Sequence, residues 1–142
     1  MNRIPLNTLS ETNDTQDRLL TAAEALFIDS GYAGMSARAV AHLAGVNIAA
    51  TRYHFGSKQG LLEAVLVRRV SPINQSRLGR LAAVRERHPG SIGAVLHAFL
   101  WPVFQTGIHA PVRQLMGRVM TEPAAVVEPL LDLVFGDISV QF

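Results

Sequence analysis

The chain has 142 residues, a hydrophobic content of 49% and a formal charge of +2, which is enough for one hydrophobic core and a small second one. It has no cysteine, which excludes disulfide scaffolds, thiolate metal sites and cysteine nucleophiles. No apolar run reaches the roughly 20 residues of a membrane-spanning helix, and no signal-peptide pattern is visible, so we expect a cytoplasmic protein without a membrane partner.

The first segment predicts an arm followed by a helix. Residues 1–13 are polar and aperiodic, so we predict a flexible arm there. From residue 15 an apolar side chain recurs every three or four positions, which predicts a first helix. Gly31 provides a natural end for this helix after Ser30.

A short helix and a tight turn come next. Ser36 predicts the N-cap of a helix over residues 37–44, in which Val40 and Leu43 should face inward. Gly45 can adopt the positive φ that a tight turn between two helices requires.

A second short helix follows the turn. Asn47 predicts its N-cap, and the helix should cover residues 48–54. The hydroxyl of Thr51 needs a hydrogen-bond partner, and it can bond back to the carbonyl one turn earlier. Gly56 ends this helix and Ser57 caps the next one. Two short helices around a glycine turn are typical of a helix-turn-helix that enters a DNA groove.

The charges of this region favour a polyanionic partner. No acidic residue occurs between Asp29 and Glu63, whereas Arg38, Arg52 and Lys58 lie within that interval. DNA could therefore approach without like-charge repulsion.

The predicted DNA contacts come from the second short helix and its surroundings. An arginine there could contact guanine or phosphate, and an alanine methyl could contact a thymine methyl. Half-burial against the first helix is the alternative for Tyr53. The side chains predicted to contact DNA are Ser36, Arg38, Asn47, Ile48, Ala49, Ala50, Arg52, Tyr53, His54 and Lys58.

The rest of the chain also has helical periodicity. Pro72 predicts a kink or a new helix, and residues 74–87 predict a helix with a basic outer face. That face consists of Arg77, Arg80, Arg85 and Arg87. Residues 92–104 are so apolar that we expect a helix buried on several sides. Further helices are predicted near residues 111–121 and from Ala124 past Leu133, and no strand pattern occurs.

The segment from Leu19 to Leu62 resembles the DNA-binding domain of the TetR family of bacterial transcription regulators. The residues that carry the resemblance are Ala23, Leu26, Phe27, Gly31, Tyr32, Ser36, Arg38, Ala41, Ala44-Gly45-Val46, Tyr53-His54-Phe55, Lys58 and Leu61. A finer resemblance is to the branch that includes regulators responding to fatty-acid metabolism, and it is carried by the runs Val46 to Ala50, Tyr53 to Lys58, Pro72-Ile73-Asn74 and Arg77-Leu78. Thr51 and Arg52 depart from the family pattern, in which an aliphatic residue and a tyrosine are usual, so the family's base specificity is not carried over.

The resemblance implies an all-α protein with two domains. A helix-turn-helix domain would cover residues 14–70, including a connecting helix, and an incomplete helical domain for effector binding and dimerisation would cover residues 71–142. Family members normally have two further long helices that pair with a twin subunit in a four-helix bundle. We therefore expect a chain truncated at its C-terminus, with a homodimer as the full-length form.

The resemblance also implies a function. Members of the family usually repress transcription by binding a palindromic operator in double-stranded DNA. A small apolar or amphipathic effector then releases the protein from the operator, and a fatty acyl ligand is one candidate. The residues expected to bind the effector are His97, Trp101, Phe104, Arg113, Met116 and Met120. The alternative is a DNA-binding module without effector control, which occupies DNA constitutively or titrates a full-length partner.

Enzymatic chemistry has little support in the sequence. There is no histidine pair at metal-ligand spacing, no glycine-rich phosphate loop and no serine in a nucleophile elbow. We therefore expect no enzyme activity, no cofactor and no metal.

Overall fold

The computed structural model describes residues 6–105, 110–139 and 141, which form seven α-helices without a strand. The helices are α1 Leu6–Gly34, α2 Ala37–Ala44, α3 Ile48–Phe55, α4 Lys58–Arg87, α5 Ile92–Phe104, α6 Ala110–Val119 and α7 Ala124–Ser139. The predicted all-α class is confirmed. None of these helices combines the length and the apolar character that crossing a membrane requires.

The first helix begins earlier than the sequence predicted. Residues 6–13 are helical, whereas we predicted a flexible arm, and residues 1–5 of that arm lie outside the described residues. No glycine or proline occurs between residues 6 and 13, so a helix held by packing further along can extend back through them. Gly31 has φ 71°, which breaks the helical geometry where the end was predicted.

The chain divides after Val65 into two compact units, which we call the N-terminal unit and the C-terminal unit. The core of the N-terminal unit combines α1, α2 and the first two turns of α4. Its fully buried large side chains are Leu19, Phe27, Met35, Val40, Leu61, Leu62 and Val65. The prediction that Leu43 faces this core is wrong, because Val40, Ala41 and Ala44 are buried and Leu43 is exposed beside them.

The C-terminal unit contains the rest of α4 together with α5, α6 and α7. Its buried apolar residues are Leu66, Val70, Ile73, Leu81, Ala98, Val112, Leu115, Val119, Leu130 and Val134. Asn74 links α4 to α7, since its side-chain amide donates to the Val134 carbonyl at 3.0 Å.

Helix α4 continues through Pro72 rather than starting anew there. Proline removes one backbone hydrogen bond, but Val70 and Ile73 on either side are buried and hold the helix in place.

Two predictions about the C-terminal unit are wrong. Arg77 does not lie on the basic outer face of α4, because it is only 6% exposed. Helix α5 is not buried on several sides, because Ala98 and Pro102 are its only buried residues. Where nearly every residue of a helix is apolar, the sequence has no polar side from which the inward face can be inferred.

Candidate DNA-binding site and the C-terminal cavity

The turn between α2 and α3 depends on Gly45. This residue has φ 66° and ψ 38°, and its N–H donates to the His42 carbonyl at 3.1 Å. The guanidinium of Arg18 in α1 donates to the Gly45 carbonyl at 3.3 Å. A Cβ at this position would lie 2.9 Å from the same guanidinium nitrogen. The turn is therefore held from α1, and a side chain would disturb both its backbone and its anchor.

Both short helices begin at the predicted caps. The Ser36 hydroxyl accepts the Ala39 N–H at 3.1 Å at the start of α2. The side-chain oxygen of Asn47 accepts the Ala49 N–H at 2.9 Å at the start of α3. These bonds satisfy N–H groups that a helix end otherwise leaves without partners.

Helix α3 turns most of its surface to solvent. Thr51 is its only buried residue. Ile48, Ala49, Arg52 and Tyr53 are all exposed, and Tyr53 is 82% exposed. The alternative of Tyr53 packing against the first helix is therefore not observed. The outward face combines apolar methyl groups, a phenol and a guanidinium, which are suited to base edges and phosphates.

The hydroxyl of Thr51 does not form the bond that was open to it. It has no hydrogen-bond partner within the described part of the chain, so it does not bond back to the carbonyl one turn earlier. A buried hydroxyl without a partner is destabilising, so Thr51 serves the site through its packing rather than through its polar group.

The start of α4 lies next to this face. Gly56, with φ 72°, ends α3, and the Ser57 hydroxyl accepts the Gly60 N–H at 3.0 Å. The ammonium of Lys58 lies 4.2 Å from the centroid of the Tyr32 ring, a cation–π contact that restrains the lysine.

The structure brings four of the ten predicted DNA contacts together in one open cleft. The cleft has a volume of about 340 Å³ and is lined by Ala37, Ile48, Ala49, Thr51, Arg52, Gly56, Ser57 and Lys58. Among the other predicted contacts, Ser36, Arg38, Asn47 and Tyr53 are exposed outside the cleft, while Ala50 and His54 are half-buried. The sequence did not single out Ala37 and Gly56 as site residues, because neither has a side chain that carries charge or hydrogen bonds.

A separate cavity lies in the C-terminal unit. It has a volume of about 180 Å³ and is lined by Val70, Ile73, Arg77, Val103, Val112, Met116, Val134 and Phe135. Arg77 is the charged residue in the lining of this cavity. The Nε–H of Arg77 donates to the Phe99 carbonyl at 3.0 Å, and another of its N–H groups donates to the Asn74 side-chain oxygen at 3.2 Å.

Burial lowers the pKa of Arg77, because the charged guanidinium loses solvation. The guanidinium also lies 4.3 Å from the centroid of the Phe99 ring, so it contacts an aromatic ring and two neutral oxygens. The two hydrogen bonds use two of the five N–H donors of a guanidinium, which leaves the group able to receive an anion.

The residues predicted to bind an effector are not gathered at this cavity. Met116 lines it, whereas Phe104, Arg113 and Met120 are exposed and do not. His97 and Trp101 stack on each other outside it, with ring centroids 5.1 Å apart and planes at 19°. Arg77 was not among the predicted effector contacts, although it lies four residues after the buried Ile73 and four before the buried Leu81. No group of side chains able to hold a metal ion occurs among the described residues.

The capped helices, the glycine turn and the exposed face of α3 together define a helix-turn-helix DNA-binding domain. Residues 19–65 match the family model of bacterial regulatory proteins of the tetR family. Residues 19–65 thus form a TetR-type DNA-binding domain, and the chain is a DNA-binding transcriptional regulator, as the sequence predicted. A comparison with curated proteins gave no match.

Proposed function

We propose that this regulator is a repressor that binds a palindromic operator as a homodimer, in the cytoplasm, and releases it when a small amphipathic effector binds. The observation that supports the DNA-binding part is the exposed face of α3, with Arg52 and Tyr53 outermost, on a helix fixed at both ends by caps. One such domain covers only a half-site, so an operator of two half-sites requires two copies.

Two basic residues should have different roles in DNA binding. Arg52 is exposed on the outward face of α3 and can reach base edges as well as phosphates. Lys58 is half-buried and restrained over Tyr32, which suits a fixed phosphate contact without base selection.

The test of these roles is a comparison of Arg52→Ala, Lys58→Ala and the control Arg113→Ala, which removes an exposed arginine of α6. We expect Arg52→Ala to weaken specific operator binding by about 1–3 kcal/mol while retaining much of the non-specific binding. Lys58→Ala should weaken binding to all sequences alike and reduce the salt dependence by about one charge. Gel shifts at several salt concentrations, with an operator selected from random DNA, measure both effects. Identical behaviour of the two variants would contradict the assignment.

The effector part of the proposal depends on the cavity around Arg77. An apolar wall with one buried guanidinium favours a ligand that has a short apolar body and a carboxylate or another oxyanion. The volume of about 180 Å³ suits a short chain rather than a long acyl chain. We therefore propose Arg77, rather than the predicted Arg113, as the contact for the head group of the ligand.

Short fatty acids of four to eight carbons, with their methyl esters as neutral controls, test this ligand class. We expect the acids, and not the esters, to raise the melting temperature and to release the operator. Arg77→Met should abolish both effects, while the control Arg113→Met should retain them. If no acid changes DNA binding, the alternative of a constitutive or partner-titrating DNA-binding module is favoured.

A further inference from the structure

A second cavity of the C-terminal unit is lined by side chains that the proposed function does not use. We call it the basic cavity. Its volume is about 200 Å³, and it is lined by Arg80, Ala83, Val84, Arg87, His88, His97 and Ala98. None of these residues lines the cavity around Arg77. The basic cavity is therefore a separate site, formed where the last turns of α4 lie beside α5.

The lining of the basic cavity has charge of one sign. It contains two arginines and two histidines but no acidic residue. Within the described part of the chain, neither Arg80 nor Arg87 forms an ion pair with a carboxylate. An arginine side chain has five N–H donors and no acceptor, and a histidine ring has at least one donor. The cavity therefore gathers positive charge and hydrogen-bond donors, which favours an anionic ligand.

Contacts around the cavity hold part of its lining in place. The side-chain oxygen of Gln105, with the amide oriented to suit its neighbours, accepts from the Arg80 guanidinium at 3.0 Å and from the Trp101 indole N–H at 3.1 Å. Trp101 in turn stacks on His97. The Nε–H of Arg80 is buried and has no hydrogen-bond partner among the described residues, so the protein leaves donor capacity of this arginine unused. Side chains that are ordered before binding lower the entropic cost of receiving a ligand.

A phosphoryl group suits this set of donors better than a carboxylate does. A phosphate monoester has three strong acceptor oxygens and a charge of about −1.5 to −2 at pH 7. A carboxylate has two oxygens and a single charge. Two arginines, each with a planar fork of donors, match the larger charge and the additional oxygen. The cavity is smaller than the roughly 300–1,000 Å³ of pockets for drug-sized ligands, so the body attached to the phosphoryl group must be small.

We propose that the basic cavity binds the phosphoryl group of a small phosphorylated molecule, with Arg80 and Arg87 as its charged contacts. This inference goes beyond the proposed function, in which a different ligand is held at Arg77. The two sites share no lining residue, so each can be tested while the other is intact.

The fluorescence of Trp101 provides a direct test, because it is the only tryptophan of the chain and stacks on a residue that lines the basic cavity. The full chain is titrated with methyl phosphate at constant ionic strength. Trimethyl phosphate, which has the same core without a charge, is the control ligand. We expect a saturable change with methyl phosphate and none with trimethyl phosphate, and calorimetry gives the affinity without the fluorophore. A titration without saturation by both methods, or equal binding of the two ligands, would overturn the proposal.

Variants locate the bound phosphoryl group. Arg80→Gln and Arg87→Gln should each weaken the binding of methyl phosphate by about tenfold or more in calorimetry, because each removes charge-assisted hydrogen bonds. The matched control is Arg85→Gln, which removes the same charge two residues from Arg87 but outside the lining of the cavity. It should change the affinity by less than about twofold, as should Arg77→Met. A loss in Arg85→Gln as large as that in Arg87→Gln, or a loss confined to Arg77→Met, would overturn the assignment. Circular dichroism checks that each variant remains helical.

Operator binding separates this site from a DNA contact. Measured without methyl phosphate and at one salt concentration, Arg87→Gln and Arg85→Gln should bind the operator with equal affinity. A loss of operator affinity confined to Arg87→Gln would mean that the basic cavity contacts DNA phosphates, and it would overturn the proposal of a small phosphorylated ligand.

Discussion

Helices α3 and α5 both bury few of their residues, yet they suit different partners. Helix α3 buries only Thr51, and α5 buries only Ala98 and Pro102. The outward face of α3 carries Arg52 in a stretch without acidic residues, whereas α5 carries no charged residue at all. The two helices are therefore distinguished by the charge of their exposed faces rather than by how much of each helix is exposed.

The largest expected effect is the response of DNA binding to salt. If Arg38, Arg52 and Lys58 each neutralise one phosphate, raising monovalent salt from about 50 to about 200 mM should weaken DNA binding by roughly 40-fold per domain. DNA titrations at several salt concentrations measure this response. An affinity that does not change with salt would contradict phosphate contacts by these three residues.

Gly45→Ala tests how the face of α3 is held. The positive φ and the approach of Arg18 should make this variant less stable by about 1–2 kcal/mol and weaken its DNA binding. The matched control is Gly79→Ala inside α4, where a Cβ would meet no atom within 4 Å. That substitution should raise stability by up to about 1 kcal/mol, because alanine is the better helix former. Urea unfolding followed by circular dichroism measures both changes, and equal effects would contradict a special role for the turn.

Thr51→Val gives the smallest expected effect and separates packing from polarity in α3. Removing the buried hydroxyl without a partner should raise stability by about 1 kcal/mol and leave operator affinity unchanged. Thr51→Ser keeps the hydroxyl and removes a methyl group, so it should lower stability. A loss of stability in the valine variant would mean that the hydroxyl is hydrogen-bonded in solution.

The elements of the N-terminal unit were predictable because their ends carry local signals. Ser36, Asn47 and Ser57 cap helices where their side chains indicated, and Gly45 turns the chain where a positive φ was expected. These signals depend on the backbone within three or four residues, so they can be inferred without knowledge of distant contacts.

Orientation was harder to predict than helix position. Leu43 and Arg77 were assigned to the wrong sides of α2 and α4 from their residue type, although leucine can be exposed and arginine can be buried. The buried positions Val70, Ile73, Arg77 and Leu81 do follow a helical repeat. Periodicity alone would thus have placed Arg77 inside, and its charge misled the interpretation. The sequence of α5 has no comparable repeat, because nearly all of its residues are apolar.

The contact between Lys58 and Tyr32 has a practical consequence, because Lys58 is the only lysine of the chain. Besides the N-terminal α-amino group, an amine-specific reagent can modify just one group, the Lys58 amine, which lies at the edge of the cleft formed by α2, α3 and α4. A label on this side chain would report occupancy of the cleft directly. Acetylation of the same amine would remove a positive charge at one defined point, without altering any other residue of the protein.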